Sequence, residues 1–222
     1  ILYDEPWLQG KKLIILEPRR LAARAAASRM AALLNEHVGE TVGYRVRLDT
    51  RVSQHTRIEV VTEGILTRML QRDPSLERVG LVVFDEFHER SLHADLGLAF
   101  ALDCQAALRP DLRILVMSAT LETDRIAQLL SNAPAVHSHG RAFNVRTTYS
   151  DRRRSDRRDI AEETARTVQT ALRDNEGDIL AFLPGAAEIK RAQRKLDSSA
   201  LPQGVSVTPL FGSLAKKAQD QA

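Results

Sequence analysis

Asp85 and Glu86 stand side by side at the end of the apolar run Leu81-Val82-Val83-Phe84, and His88 follows just after them. A run that is apolar at every position reads as a strand buried on both faces, hence central in its sheet. Open parallel sheets bind ligands just beyond the carboxyl ends of such strands. One carboxylate there can help hold a magnesium ion that bridges phosphates, while its neighbour orients and polarises an attacking water. Taken alone the pair is weak, because strands often end in solvated acidic residues.

Further features share the theme. The next apolar run, Ile114-Leu115-Val116-Met117, ends in Ser118-Ala119-Thr120, small hydroxyl residues that can sit near the carboxylates and hydrogen-bond His88 or Asp85. The same residues also read as a helix N-cap, since Glu122 and Asp124 follow in what looks like a first helical turn. Upstream, Leu16 closes a strand and Glu17-Pro18-Arg19-Arg20 opens an Ala-rich helix. Arginines at a helix start oppose the dipole, so they need an anionic partner or plain solvent exposure. A nucleic-acid phosphate is one such partner.

Positioning these groups requires a sheet with covering helices. Leu13-Ile14-Ile15-Leu16, Ile58-Glu59-Val60-Val61, Leu81-Val82-Val83-Phe84 and Ile114-Leu115-Val116-Met117 each end at a polar or small residue, and helical patterns over 21–34, 64–70 and 92–108 lie between them. That alternation is the pattern of an α/β fold, a parallel sheet flanked by helices. Ala135-Val136-His137 is a candidate last strand of this first domain, residues 1–140. Residues 141–158 read as a linker, because Asp151-Arg152-Arg153-Arg154-Ser155-Asp156-Arg157-Arg158 contains nothing to bury. A second α/β pattern runs over 159–222: a helix over 159–173, the strand Ile179-Leu180-Ala181-Phe182-Leu183, a helix after Pro184-Gly185 and the strand Val205-Ser206-Val207.

Composition bounds the rest. The chain has 222 residues, 43% of them apolar, enough for one large domain or one domain plus part of another. No apolar run approaches the roughly 20 residues a membrane helix needs, and the first residues lack the pattern of a secretory signal. The lone cysteine, Cys104, excludes an internal disulfide framework and fits a reducing compartment, so a cytoplasmic protein is expected. Net charge is only +3, but most of the 32 Lys and Arg are Arg, whose planar fork suits phosphate. Nucleic acid is permitted as a partner, not required.

The motifs taken together resemble those of DEAH/RHA helicases. Glu17-Pro18-Arg19-Arg20-Leu21-Ala22-Ala23 is similar to motif Ia, Thr62-Glu63-Gly64-Ile65-Leu66 to motif Ib, Asp85-Glu86-Phe87-His88-Glu89-Arg90-Ser91 to motif II and Ser118-Ala119-Thr120 to motif III, in family order and spacing. Gly43-Tyr44-Arg45-Val46-Arg47 resembles the segment ahead of motif Ib. Phe182-Leu183-Pro184-Gly185 with Glu188-Ile189, and then Pro209-Leu210-Phe211-Gly212-Ser213-Leu214, resemble the opening of the second family domain. Phe87 in place of Ala, with the block from Asp85 to Leu96, is closest to the bacterial HrpB-type branch. The resemblance implies a RecA-like P-loop NTPase fold, its first domain nearly complete and followed by the start of a second. It implies an ATP-dependent RNA helicase using ATP and Mg2+. By the same resemblance Asp85 is a magnesium ligand and Glu86 activates water, with His88 the third catalytic position. Ser118 and Thr120, with His88, couple ATP state to domain closure, and Arg19, Arg20, Thr62, Glu63 and Gly64 line the RNA backbone track.

The family also carries a GxGK[ST] P-loop, expected ahead of residue 1, and an arginine finger, expected after Ala222. Gly10-Lys11 is the only Gly-Lys pair, with Glu5 where the first glycine belongs, so the P-loop lysine is not in this chain. The chain by itself is therefore expected neither to hydrolyse ATP nor to bind it tightly. A non-catalytic nucleic-acid-binding module on a helicase fold and a DNA helicase remain alternatives, since phosphate-tracking motifs do not read bases. A zinc-protease box fails on spacing: His93 lies five residues after His88, and Leu92 holds the ligand position. His137 and His139 have no nearby Cys or third His, and read as surface histidines.

Overall fold

A computed structural model describes residues 4–8, 10–119, 123–138, 140, 143–149, 160–215 and 218–219. The chain divides into two compact units, 1–140 and 141–222.

In the first unit the expected apolar runs form strands β1 (Lys12–Glu17), β4 (Ile58–Thr62), β5 (Val79–Phe84) and β6 (Arg113–Val116), joined by β2 (Val42–Val46) and β3 (Asp49–Arg51). They build one six-stranded sheet in the order β3-β2-β4-β1-β5-β6, parallel except for the β2/β3 hairpin. Every residue of β5 is buried, as its unbroken apolar run requires. β2 carries the Gly43-Tyr44-Arg45-Val46 stretch, and Gly43 is there because the hairpin closes tightly: a Cβ at that position would lie 2.4 Å from the Arg51 carbonyl oxygen.

Helices cover both faces. α1 (Arg20–Leu33) turns Ala23, Ala27 and Ala31, four residues apart, onto one face of the sheet, against a core that includes Leu13, Tyr44, Val60, Leu81 and Val83. α2 (Glu63–Arg72) and α3 (Leu92–Ala107) cover the other face, where Ile14, Leu16, Val61, Val82 and Phe84 meet Leu66, Leu70 and Leu98. α3 comes so close that a Cβ on Gly97 would lie 3.3 Å from Leu66 Cδ2. The short α4 (Thr123–Leu129) follows β6.

Ser91 caps α3, its Oγ accepting from the Ala94 N–H at 3.0 Å. Ser91→Ala is expected to destabilise α3 by about 1 kcal/mol. Hydrogen exchange of the first-turn amides of α3 in the full-length protein would report that loss, and unchanged protection would contradict it.

The second unit holds α5 (Ile160–Asp174) and α6 (Ala186–Asp197) in mutual contact, with Ala161, Ala165, Ala192 and Leu196 buried. The strands expected at 179–183 and 205–207 do not form a ladder: no partner strand lies beside them among the described residues, and Leu180 and Phe182 are exposed. In the first unit Ala135-Val136-His137 is likewise no strand, with Val136 exposed. An apolar run becomes a strand only where a neighbour takes its N–H and C=O groups. Residues 151–158 of the expected linker lie outside the described residues. Among the described residues no helix is long and apolar enough to cross a membrane.

Candidate functional site

The parallel register sets the candidate residues at one level along the carboxyl edge of the sheet. Glu17 at the end of β1 pairs with Thr62 at the end of β4. Leu16 pairs with Phe84, so Glu17 also lies beside Asp85, whose N–H continues the ladder to the Leu16 carbonyl at 3.0 Å. Thr62, Glu17 and Asp85 thus form a row across neighbouring strands, at the edge where parallel sheets bind ligands.

Glu17 is the site residue that the sequence pattern does not single out. Its side chain is buried and hydrogen-bonded to Asp85. Burial first, then the Asp85 bond and the repulsion of Asp85, Glu86 and Glu89, push its carboxyl up to about 7. Sequence offered a signal in the single acidic residue that follows the apolar run Leu13-Ile14-Ile15-Leu16. What sequence could not supply was the register that brings Glu17 to Asp85.

Past Asp85 the chain turns sharply. Glu86 adopts a left-handed conformation, φ 49°, and its N–H bonds Asp85 Oδ1 at 2.8 Å, which leaves its carboxylate at the surface. A single 3-10 turn, Phe87–Glu89, follows and ends at Arg90, again with positive φ, 48°. Non-glycine residues hold such angles only when their surroundings fix them, and here the anchor is Phe87. Its ring is buried, edge-on to Phe84 with centroids 6.2 Å apart, and its N–H bonds the Met117 carbonyl at 3.0 Å.

The loop over residues 86–91 touches every other motif of the carboxyl edge. His88 Nδ1 accepts the Ala119 N–H at 3.2 Å and lies 3.2 Å from Glu86 Oε2. One nitrogen cannot accept from Ala119 and donate to Glu86 at once, so the two contacts are alternatives. Glu89 takes Arg19 by a fork, Nη2 to Oε1 at 2.9 Å and Nε to Oε2 at 3.3 Å. Ser91 Oγ donates to Glu63 at 2.6 Å.

The remaining candidates fall around this loop. Arg20 is exposed at the first position of α1, and Arg19 is its N-cap residue, with an anionic partner supplied from within the chain. Gly64 is open on its outer side, with no atom within 4 Å of where a Cβ would be. Ser118 is exposed just beyond β6, while Thr120 lies outside the described residues, as does His139. Among the described residues no cluster of three or more His, Cys, Asp or Glu is placed to hold a metal, and His93 and His137 are exposed. Trp7 packs at the rim of the core with the Arg113 guanidinium 3.9 Å over its ring, and Leu8 is fully buried, both structural positions.

Comparison with known proteins gives this arrangement a context. Residues 5–129 match the family model described as DEAD/DEAH box helicase. The ATP-dependent RNA helicase HrpB of Escherichia coli (strain K12) is 52% identical over 221 residues, covering 100% of this chain and 27% of that protein. The probable ATP-dependent RNA helicase DHR2 of Saccharomyces cerevisiae is 38% identical over 192 residues, 86% of this chain and 25% of that protein. The crystal structure of Escherichia coli DEAH/RHA helicase HrpB superposes with a TM-score of 0.90 at 50% identity, covering 100% of this chain and 28% of that one. The chain spans about a quarter of the length of these relatives.

Proposed function

The chain belongs to the DEAD/DEAH box helicase family, and from that premise we propose that it is part of the motor of an ATP-dependent RNA helicase. The observation that carries the proposal is the row of Thr62, Glu17 and Asp85 at the carboxyl edge, with one loop reaching from Glu86 to the residues expected on the RNA track. A site that hydrolyses ATP in response to RNA needs such proximity between the carboxylates and the track.

Asp85 is the residue assigned to magnesium. The donor set fits: Mg2+ takes hard oxygen ligands and is held by one or two carboxylates together with substrate phosphates. Burial first, and then the Asp85 bond and the repulsion of Asp85, Glu86 and Glu89, raise the Glu17 carboxyl, and a cation beside these carboxylates would relieve the repulsion. A magnesium ion held there by Asp85 would supply neutralisation of the negative charge on the substrate phosphates. Glu86, whose carboxylate is exposed, is the residue assigned to orient and deprotonate an attacking water. His88, facing both Glu86 and Ala119, is assigned with Ser118 and Thr120 to coupling. Arg19, Arg20, Thr62, Glu63 and Gly64 are assigned to the backbone of RNA. Cys104 is a buried free thiol, in keeping with the reducing cytoplasm, which we take as the location.

The proposal is tested by RNA-stimulated phosphate release from the full-length protein. Replacing both Arg19 and Arg20 by Ala is expected to weaken RNA binding uniformly across sequences and to make its salt dependence shallower, by about one unit of slope for each phosphate that is no longer neutralised. An unchanged slope would reduce the two arginines to surface charges.

A further inference from the structure

The fork between Arg19 and Glu89 joins a residue assigned to RNA with the loop that carries Glu86. We propose that Glu89 is a positioning residue: it holds Arg19 until an RNA phosphate takes its place, and its release resets His88 against Glu86. The inference rests on the assignment of Arg19 to the RNA track and adds a route by which that contact reaches the ATP site.

The chemistry of the exchange is simple. A phosphate oxygen and a carboxylate oxygen present the same charge and the same acceptor geometry to a guanidinium, so one replaces the other on Arg19 without leaving the cation unpaired. The Arg19 side chain is 72% exposed, which leaves it open to an incoming strand, and the Glu89 side chain is 34% exposed, so its carboxylate can turn to water when released. An ion pair this exposed is weak enough to be exchanged.

The local backbone determines where the release is felt. Phe87 is pinned by its buried ring and its bond to Met117. Ser91 is pinned by capping α3 and by its bond to Glu63. Between these points lie His88, Glu89 and Arg90. Residues with positive φ, Glu86 and Arg90, stand at either end of the 3-10 turn, strained backbone that persists only while its surroundings hold it. Freeing Glu89 therefore changes the tether on its neighbour His88, whose Nδ1 chooses between Ala119 and Glu86. A loop already released, or one with nothing to release, would respond less to RNA.

The test compares the full-length wild type with Glu89→Gln, Arg19→Ala and the double variant. It measures binding of a single-stranded oligoribonucleotide without nucleotide, and the ratio of RNA-stimulated to basal phosphate release. Glu89→Gln is expected to bind RNA about two- to fivefold more tightly, because the intramolecular competitor for Arg19 is gone. Its stimulation ratio is expected to fall. A merely structural role would weaken both together. Arg19→Ala is expected to bind RNA more weakly and to lose stimulation, and adding Glu89→Gln to it should change neither further, since the pair acts as a unit. Unaltered or weaker RNA binding by Glu89→Gln, or full stimulation in that variant, would overturn the proposal. A wild type that RNA does not stimulate would instead overturn the helicase reading, and the affinity comparison would still decide whether Glu89 competes for Arg19.

Discussion

Glu86→Gln in the full-length protein is expected to lower RNA-stimulated ATP hydrolysis by about 10²- to 10⁴-fold, the range for losing a general base, while ATP affinity stays near that of the wild type. The substitution keeps the shape of the side chain. It also keeps the backbone that matters locally, because the bond to Asp85 comes from the Glu86 N–H rather than its side chain. What disappears is the ability to take a proton from water. Asp85, proposed to hold the cation, and its neighbour Glu17 remain, so nucleotide binding has no reason to change. Single-turnover phosphate release together with equilibrium nucleotide binding separates the two effects. A variant with more than about a tenth of wild-type turnover would move the base elsewhere, since general-base removal costs at least about 10²-fold.

The difference between Glu86 and Glu17 shows what the sequence makes legible. Glu86 follows an unbroken apolar run, and such a run signals a central strand, at whose end open parallel sheets generally bind ligands. β1, β4, β5 and β6 were readable for the same reason, and α1 for its alanines at helical spacing. β2 and β3 were not, because Gly43, Arg45 and Asp49 interrupt the apolar pattern, and the pairing of Tyr44 with Arg51 is a property of the hairpin rather than of either segment. The same limit hid Glu17, whose role follows from the register of β1 against β5. It also hid the partner of Arg19: the sequence shows that a cation at a helix start needs an anion, but Glu89 lies 70 residues away. In the opposite direction, the apolar runs at 179–183 and 205–207 promised strands that need neighbours not found among the described residues. Local pattern states what a segment can pair with; which segment it meets is settled by topology.

Glu59 poses that question most sharply, since the apolar run Ile58-Glu59-Val60-Val61 gives no reason for a carboxylate in its midst. It is 2% exposed in β4, hydrogen-bonded by Arg45 Nε at 2.8 Å and by Lys12 Nζ from the flanking strands. Burial pushes its carboxyl up, but the bonds and charges of Arg45 and Lys12 outweigh burial, and the net shift is downward. A carboxylate with a depressed folded pKa contributes stability that is fully present above its unfolded value, and loses it as pH falls below about 4.5. The two sides of the cluster are not equivalent. Arg45 and Lys12 are partly exposed and can turn to water if Glu59 is removed; Glu59 has no such exit if they are removed. Lys12→Met with Arg45→Met should therefore cost about 3 to 5 kcal/mol near pH 7, the range for leaving a buried charge uncompensated. That corresponds to a loss of roughly a hundredfold or more in amide protection of β1 and β4. The sign of the pH dependence should also reverse. With its cations gone, Glu59 titrates above the ordinary carboxylate value, so the folded variant binds a proton that the unfolded chain does not and gains stability as pH falls from 7 towards 5. Glu59→Gln should lose less and show neither slope. Hydrogen exchange of the full-length protein across that pH range, corrected for intrinsic rates, distinguishes the three. If the double methionine variant were as stable as wild type at pH 7, with no gain on acidification, the cluster would be a surface pair in energetic terms despite its burial.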